Sequence, residues 1–196
     1  MAGELYLVRH GRTLFNEKAI IQGWSDAPLT QEGIEMAERV GRYVERRGIV
    51  FDHAYTSTLT RTHQTIERIT DMPYERLDDL REWYFGIFEG ERVSLMPPFP
   101  WGDFYVQFGG ESQMQVRERV CRALANVMER PGHKRVLAVS HGSACREFLT
   151  AWAPERGYGH GEVPGNCSVM RFSYADARFE LQEVLEQEDL KRILGE

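Results

Sequence analysis

Apolar positions along this chain follow two rhythms, one of short unbroken runs and one of steps of three or four. Leu5, Tyr6, Leu7 and Val8 form such a run between Glu4 and Arg9, which predicts a strand. A stretch of Gly, Thr, Asn and Pro follows and ends at Thr30, a residue type that caps helix N-termini. Ile34, Ala37, Val40 and Val44 then recur at helical spacing up to Gly48. Residues 51–55 read as a second short strand, and Leu59, Thr62, Ile66 and Ile69 as a second helix face. From about 71 to 110 the periodicity fails. Pro73, Pro97, Pro98 and Pro100 there predict irregular structure with at most one short strand.

Order returns at Ser112, which with Gln115 forms a capping-box pattern ahead of Val116, Val120, Leu124 and Val127, a helix to about 130. Val136 to Val139 are continuously apolar, as expected of a strand buried on both faces of a parallel sheet, and a helix over about 143–152 follows. Residues 168–174 and 178–184 read as strands about an Ala175-Asp176-Ala177 turn. Leu190, Ile193 and Leu194 mark a last amphipathic turn or two. Strands alternating with helices predict a three-layer α/β domain whose mostly parallel central sheet carries helices on both faces. Ligands of such folds bind at the carboxyl ends of the strands.

The chain has 196 residues, close to one domain of about 150 residues, so residues 1–196 are expected to form one unit with a lid-like insertion at about 83–111. Its formal charge of −6 disfavours nucleic acid or an anionic membrane as the main partner. No apolar run approaches the roughly 18 residues of a membrane span. The opening Met-Ala-Gly-Glu lacks the pattern of a secretory signal, and the three cysteines, Cys121, Cys145 and Cys167, are odd in number and widely spaced. Both features fit a reducing, cytoplasmic setting. A homodimer stays open.

Two places set a histidine and a glycine at the end of an apolar strand: Arg9-His10-Gly11 and Ser140-His141-Gly142. A single histidine so placed reads as a hydrogen-bonded core or surface residue. Two at the same kind of strand end, one beside an arginine, converge on the crevice where a ligand would sit. The surrounding residues resemble the histidine phosphatase superfamily, the phosphoglycerate mutase-like proteins. Arg9, His10, Gly11, Thr13 and Asn16 fill the fixed places of its opening motif. Gln22, Gly23, Asp26, Pro28, Leu29 and Thr30 continue it, then Ser57, Leu59, Arg61, Thr62 and Thr65. Leu80, Glu82, Gly86, Glu89, Gly90, the 109–112 segment, His141 with Gly142, and Asn166 follow in order, so the likeness spans about 5–169.

The resemblance implies roles that the side chains are able to fill. His10 would be the nucleophile that becomes phosphohistidine, since neutral imidazole attacks without a separate base near pH 7. Arg9 and Arg61 would fork onto phosphoryl oxygens, and His141 would add a donor, preferably as imidazolium. Asn16 would be a neutral phosphate donor, with Gln22, Gly23 and Gly142 lining the site. Glu82 would protonate the leaving alkoxide and later take a proton from water; the plain alternative is a solvated surface glutamate. No metal or other cofactor is called for. His53, His63, His133 and His160 lack the spacing of a zinc site. Cys145 lacks the arginine of a cysteine-phosphatase loop and reads as a small core side chain. Arg146 reads equally as a support behind the site residues or as the cover of a helix surface.

The 83–111 segment holds nine of the 22 aromatic residues and a formal charge of −3. It reads as a lid or as a secondary core, and it is a poor cradle for a multiply charged ligand. The resemblance is therefore closer to phosphatases than to mutases, whose insertions are more basic and which usually carry a tyrosine at the place of Phe85. These features predict a phosphomonoester hydrolase acting on a small metabolite with one phosphate and a neutral or apolar body. The alternatives are a cofactor-dependent phosphoglycerate mutase and a non-catalytic phospholigand-binding relative.

Overall fold

Alternate residues of one strand, β1 (Gly3–Arg9), enter two different cores: Leu5 and Leu7 face one, Tyr6 and Val8 the other. β4 (Arg135–Ser140) divides in the same way, Val136 and Ala138 against Leu137 and Val139. This explains why both strands are continuously apolar in sequence. The computed structural model describes residues 3–196, so the first two residues of the expected unit lie outside the described residues.

The remaining elements are α1 (Leu14–Glu17), α2 (Gln31–Arg46), β2 (His53–Ser57), α3 (Thr60–Ile69), β3 (Glu75–Leu77), α4 (Gln113–Met128), α5 (Gly142–Trp152), β5 (Val169–Ala175), β6 (Arg178–Leu185) and α6 (Gln187–Leu194). The strands form one sheet in the order β3-β2-β4-β1-β5-β6. Pairings β3-β2, β2-β4 and β4-β1 are parallel, and β5 and β6 add an antiparallel hairpin. α4 and α5 cover one face through Val116, Val120, Leu124 and Phe148. α2, α3 and α6 cover the other through Val40, Tyr43, Ile66 and Leu190. The expected α/β layering is therefore the observed one.

Two local details differ from the pattern and a third follows it. The second strand lies at His53–Ser57 rather than 51–55, because Phe51 is buried by an edge-on contact with Tyr6, centroids 5.3 Å apart, and not by pairing. The short helix α1 is additional; Thr13 and Asn16 close it with a reciprocal capping box. The 71–110 stretch holds β3 and then short 3-10 turns, among them Asp78–Leu80, Gly86–Phe88 and Val106–Phe108.

The aromatics of that stretch pack edge to face. Phe85 and Trp101 each meet Tyr105, with centroids 5.0 and 5.6 Å apart. Trp83, Phe85 and Tyr105 are buried in the same core as α4 and α5. Through these three residues the segment extends the main core, and Phe85 and Trp101 also face a cavity.

Candidate active site

The topology brings the two histidines together. β1 and β4 are adjacent and parallel with Arg9 opposite Ser140, so the residues that follow, His10 and His141, leave the sheet side by side. Their rings lie 5.2 Å apart, centroid to centroid. Both are buried, His10 3% and His141 0% exposed.

His10 Nδ1 lies 2.8 Å from the Gly11 carbonyl, which assigns the ring proton to Nδ1 and the lone pair to Nε2. Burial, and after it the nearby guanidiniums of Arg61 and Arg9, hold the imidazole well below its ordinary range. The result at neutral pH is an uncharged ring with a free nucleophilic nitrogen. Asn166 Nδ2 fixes the backbone by donating to the His10 carbonyl at 3.0 Å, and the Gly11 amide donates to Thr65 Oγ1 on α3.

A cavity of about 340 Å³ opens onto this ring. Arg9, Asn16, Gln22, Glu82 and Gly142 line it. Arg9 is anchored by Nη1 donating to the Pro164 carbonyl at 2.6 Å, and its buried Nε has no partner among the described residues. A side chain at Gly142 would crowd the Arg9 guanidinium at 3.2 Å, which explains the glycine there. Gln22 Oε1 accepts from Thr13, leaving its amide nitrogen, which has no partner among the described residues, as a donor. Asn16 Oδ1 accepts from the Thr13 amide and from Asn166, so its nitrogen is the end left for a ligand.

Glu82 follows the Asp78–Leu80 turn and reaches the N-terminus of α5. Its Oε1 accepts from the Trp83 and Ala144 amides, and its Oε2 from the Ser143 amide, all at 2.9 Å. The free amides and positive dipole end of α5 are thus spent on holding this carboxylate at the cavity edge. It is buried, which removes the reading of a solvated surface glutamate.

Three further residues of the expected site are bonded to protein groups. Arg61 heads α3 but directs its donors to protein: Nε to His141, Nη1 to Ser25 and Asp26, and Nη2 to the carbonyls of Gly23 and Gln22. A guanidinium has five N–H donors, so the fork is saturated as it stands. His141 receives the Arg61 Nε–H at Nδ1 and lies 2.7 Å from Ser57 Oγ through Nε2. Burial, Arg61 and the His10 ring hold it well below the ordinary histidine range. The free site therefore presents neutral imidazole, not the imidazolium the sequence reading preferred. Gly23 donates its amide to Glu89, and its carbonyl accepts from Arg61. These three residues form the rear wall that positions the cavity residues.

Sequence reasoning assigned no role to two further residues and left a third undecided. Glu89 accepts from the amides of Gly23, Trp24, Ser25 and Phe85, tying the 22–25 loop to the 83–111 segment. Arg119 on α4 binds Glu111 and the carbonyls of Asp79, Arg81 and Glu82. Arg146, left between two readings, is buried and lines the cavity. A helical arginine carries no local signal for such roles. Cys145 is buried, and its thiol is pushed far up by burial; all three cysteines are free. Among the described residues, no three His, Cys, Asp or Glu side chains gather as a metal site, and no helix is long and apolar enough to cross a membrane.

Comparison with known proteins places this geometry. The family model of the histidine phosphatase superfamily (branch 1) matches residues 5–187. A Salmonella paratyphi A protein described as probable phosphoglycerate mutase GpmB is 34% identical, over 90% of this chain and 87% of its own length. The crystal structure of phosphoglycerate mutase from Bacillus anthracis has the same fold, with a TM-score of 0.85, 23% identity, and 97% and 96% of the two chains covered. Phosphoserine phosphatase from Entamoeba histolytica, solved in complex with 3-phosphoglyceric acid, matches with a TM-score of 0.79 and 25% identity over 96% and 99% of the chains.

Proposed function

Because this chain belongs to branch 1 of the histidine phosphatase superfamily, whose members include mutases and phosphatases, we propose that it is a phosphomonoester hydrolase working through phosphohistidine at His10. The observation that carries the reading is the neutral, buried His10 ring, with Nδ1 held by a carbonyl and Nε2 free, in one cavity with Arg9 and Glu82.

The Nε2 lone pair attacks phosphorus, and the bond from phosphorus to the ester oxygen breaks. Arg9, Gln22 and Asn16 donate to the phosphoryl oxygens, where charge accumulates. Glu82, which takes up a proton on Oε2, the oxygen that accepts only one amide, gives it to the departing alkoxide, and the alcohol leaves. Water then attacks the phosphohistidine while Glu82 takes its proton, which restores the imidazole and releases inorganic phosphate. Arg61 and His141 act from behind, fixing the 22–26 loop against the strand ends. No step passes through a metal.

The apolar share of the cavity, including Ile20, Ile21, Phe85 and Trp101, favours a substrate with an apolar body over a bisphosphorylated intermediate that must turn round. The name of the Salmonella relative favours the mutase reading instead. One experiment separates them. The protein is incubated with a set of phosphomonoesters, including 3-phosphoglycerate with and without 2,3-bisphosphoglycerate, and free phosphate and isomer are followed together. Phosphate release, with an acid-labile, alkali-stable label on the protein that His10→Ala abolishes, is the expected result. Isomerisation with little phosphate release would overturn it in favour of the mutase.

A further inference from the structure

Arg146 takes no part in the phosphoryl transfer just described, yet it lines the same cavity as His10 and Arg9. It is 0% exposed. Its Nε donates to Glu147 at 3.2 Å, and Glu147 is held from behind by Arg117 and Gln113. Its two terminal nitrogens have no hydrogen-bond partner among the described residues. Rings enclose the group: its central carbon is 4.4 Å from the Phe99 centroid and 4.8 Å from that of Trp101.

This is an expensive arrangement for a mere filler of space. Ring faces stabilise the cation but do not accept its in-plane N–H groups, and a buried donor without an acceptor weakens the fold. A methionine would fill the place without that penalty. The aromatic walls and the Glu147 pair instead hold the fork rigid, its terminal edge prepared for a planar acceptor with two oxygens.

Position fixes where that acceptor sits. Gly142, Ser143 and Arg146 all line the cavity from α5, and Arg146 lies one turn beyond Gly142, roughly 6 Å further along the helix axis. The fork is therefore set back from the head of α5, where Glu82 is bound. Ile20, Ile21, Phe85 and Met96 make much of the remaining wall apolar. The charge of the 83–111 segment could not reveal this cation, because it comes from a helix outside that segment.

We propose that Arg146 is a specificity-determining residue whose terminal nitrogens bind a carboxylate at the end of the substrate opposite the phosphate, the two ends joined by an apolar body. The proposal deepens the hydrolase reading and rests on it for the identity of the phosphate end. A carboxylate suits the site better than a second phosphate. Glu147 already compensates part of the guanidinium charge, so one negative charge is matched and two are not.

The test uses two esters with the same leaving alcohol chemistry, hexyl phosphate and 6-phosphooxyhexanoate, together with hexane-1,6-diyl bisphosphate. In the wild type, kcat/KM for the carboxylate ester should exceed that for hexyl phosphate by roughly tenfold or more, chiefly through KM. The ratio should fall towards one in Arg146→Met and lie between in Arg146→Lys. A wild-type ratio near one overturns the proposal whether or not the methionine variant folds. A ratio that persists in Arg146→Met, or a bisphosphate preferred over the carboxylate, does the same. The first two esters are also titrated by calorimetry into His10→Asn, which reads the same preference as a ratio of Kd values without turnover. A preference in Kd with no hydrolysis by the wild type would sink the hydrolase reading and leave this one standing; hydrolysis with no preference would do the reverse.

Discussion

At the scale of single residues, function here rests on what each polar group has already been given to bind. His10 keeps Nε2 free only because the Gly11 carbonyl occupies Nδ1. Glu82 keeps its place because three backbone amides hold both its oxygens. Glu82→Gln replaces one oxygen by a donor facing those amides and removes the transferable proton. Hydrolysis of alkyl phosphates should fall by about 10² to 10⁴, while an activated aryl phosphate, whose leaving group needs no proton, should lose far less. Parallel kcat measurements on the two ester types check this; equal losses would mean that Glu82 is not the acid. The position of His10 was legible in sequence because it follows a recognisable strand end, whereas Glu82 and Asn16 were singled out only by the family resemblance. The saturation of Arg61 was not legible. Its acceptors at Gln22, Gly23, Ser25 and Asp26 lie 35 to 39 residues away and meet it only after folding.

At the scale of elements, the strongest local signals belonged to helices whose ends are chemically marked. Ser112 accepts from the Gln115 amide at 3.1 Å and Gln115 Oε1 accepts from the Ser112 amide at 2.7 Å, closing the start of α4 as its sequence implied. Ser112→Ala should cost about 1 kcal/mol, visible as a lowered midpoint in denaturant at constant slope, with hydrolysis unaltered. No change in midpoint would mean that packing of Val116, Val120 and Leu124 alone sets this helix. Boundaries drawn from apolarity alone fared worse. β2 lies two residues later than the run of 51–55 implies, because Phe51 is buried by Tyr6 rather than by a neighbouring strand. α5 shows both sides of this. Its existence follows from the pattern, whereas its three uses, holding Glu82, making room for Arg9 and aiming Arg146, depend on what packs against it.

At the scale of the whole molecule, burying two histidines among arginines couples folding to pH. Burial first, then the nearby guanidiniums, lowers proton binding by His10 and His141 in the folded state, and burial does the same for His63. The unfolded chain, with histidines near 6.5, then holds more protons than the folded one as pH drops below about 6.5. Stability should be fully present above that pH and decline between about 6.5 and 5, before most carboxylates titrate. Urea midpoints measured across that range should fall steadily, and a flat profile would contradict the burial of neutral imidazoles. The sequence by itself determined the layered α/β plan, the two histidine-bearing strand ends and the capped helices, because these depend on periodicity and chemistry within a few adjacent residues. Only the tertiary structure decided which arginines face the cavity and which stand behind it, and that the aromatic segment joins the main core. Those outcomes depend on which distant acceptors and rings close around each side chain, and a guanidinium or an aromatic ring looks the same in sequence whichever partners it will find.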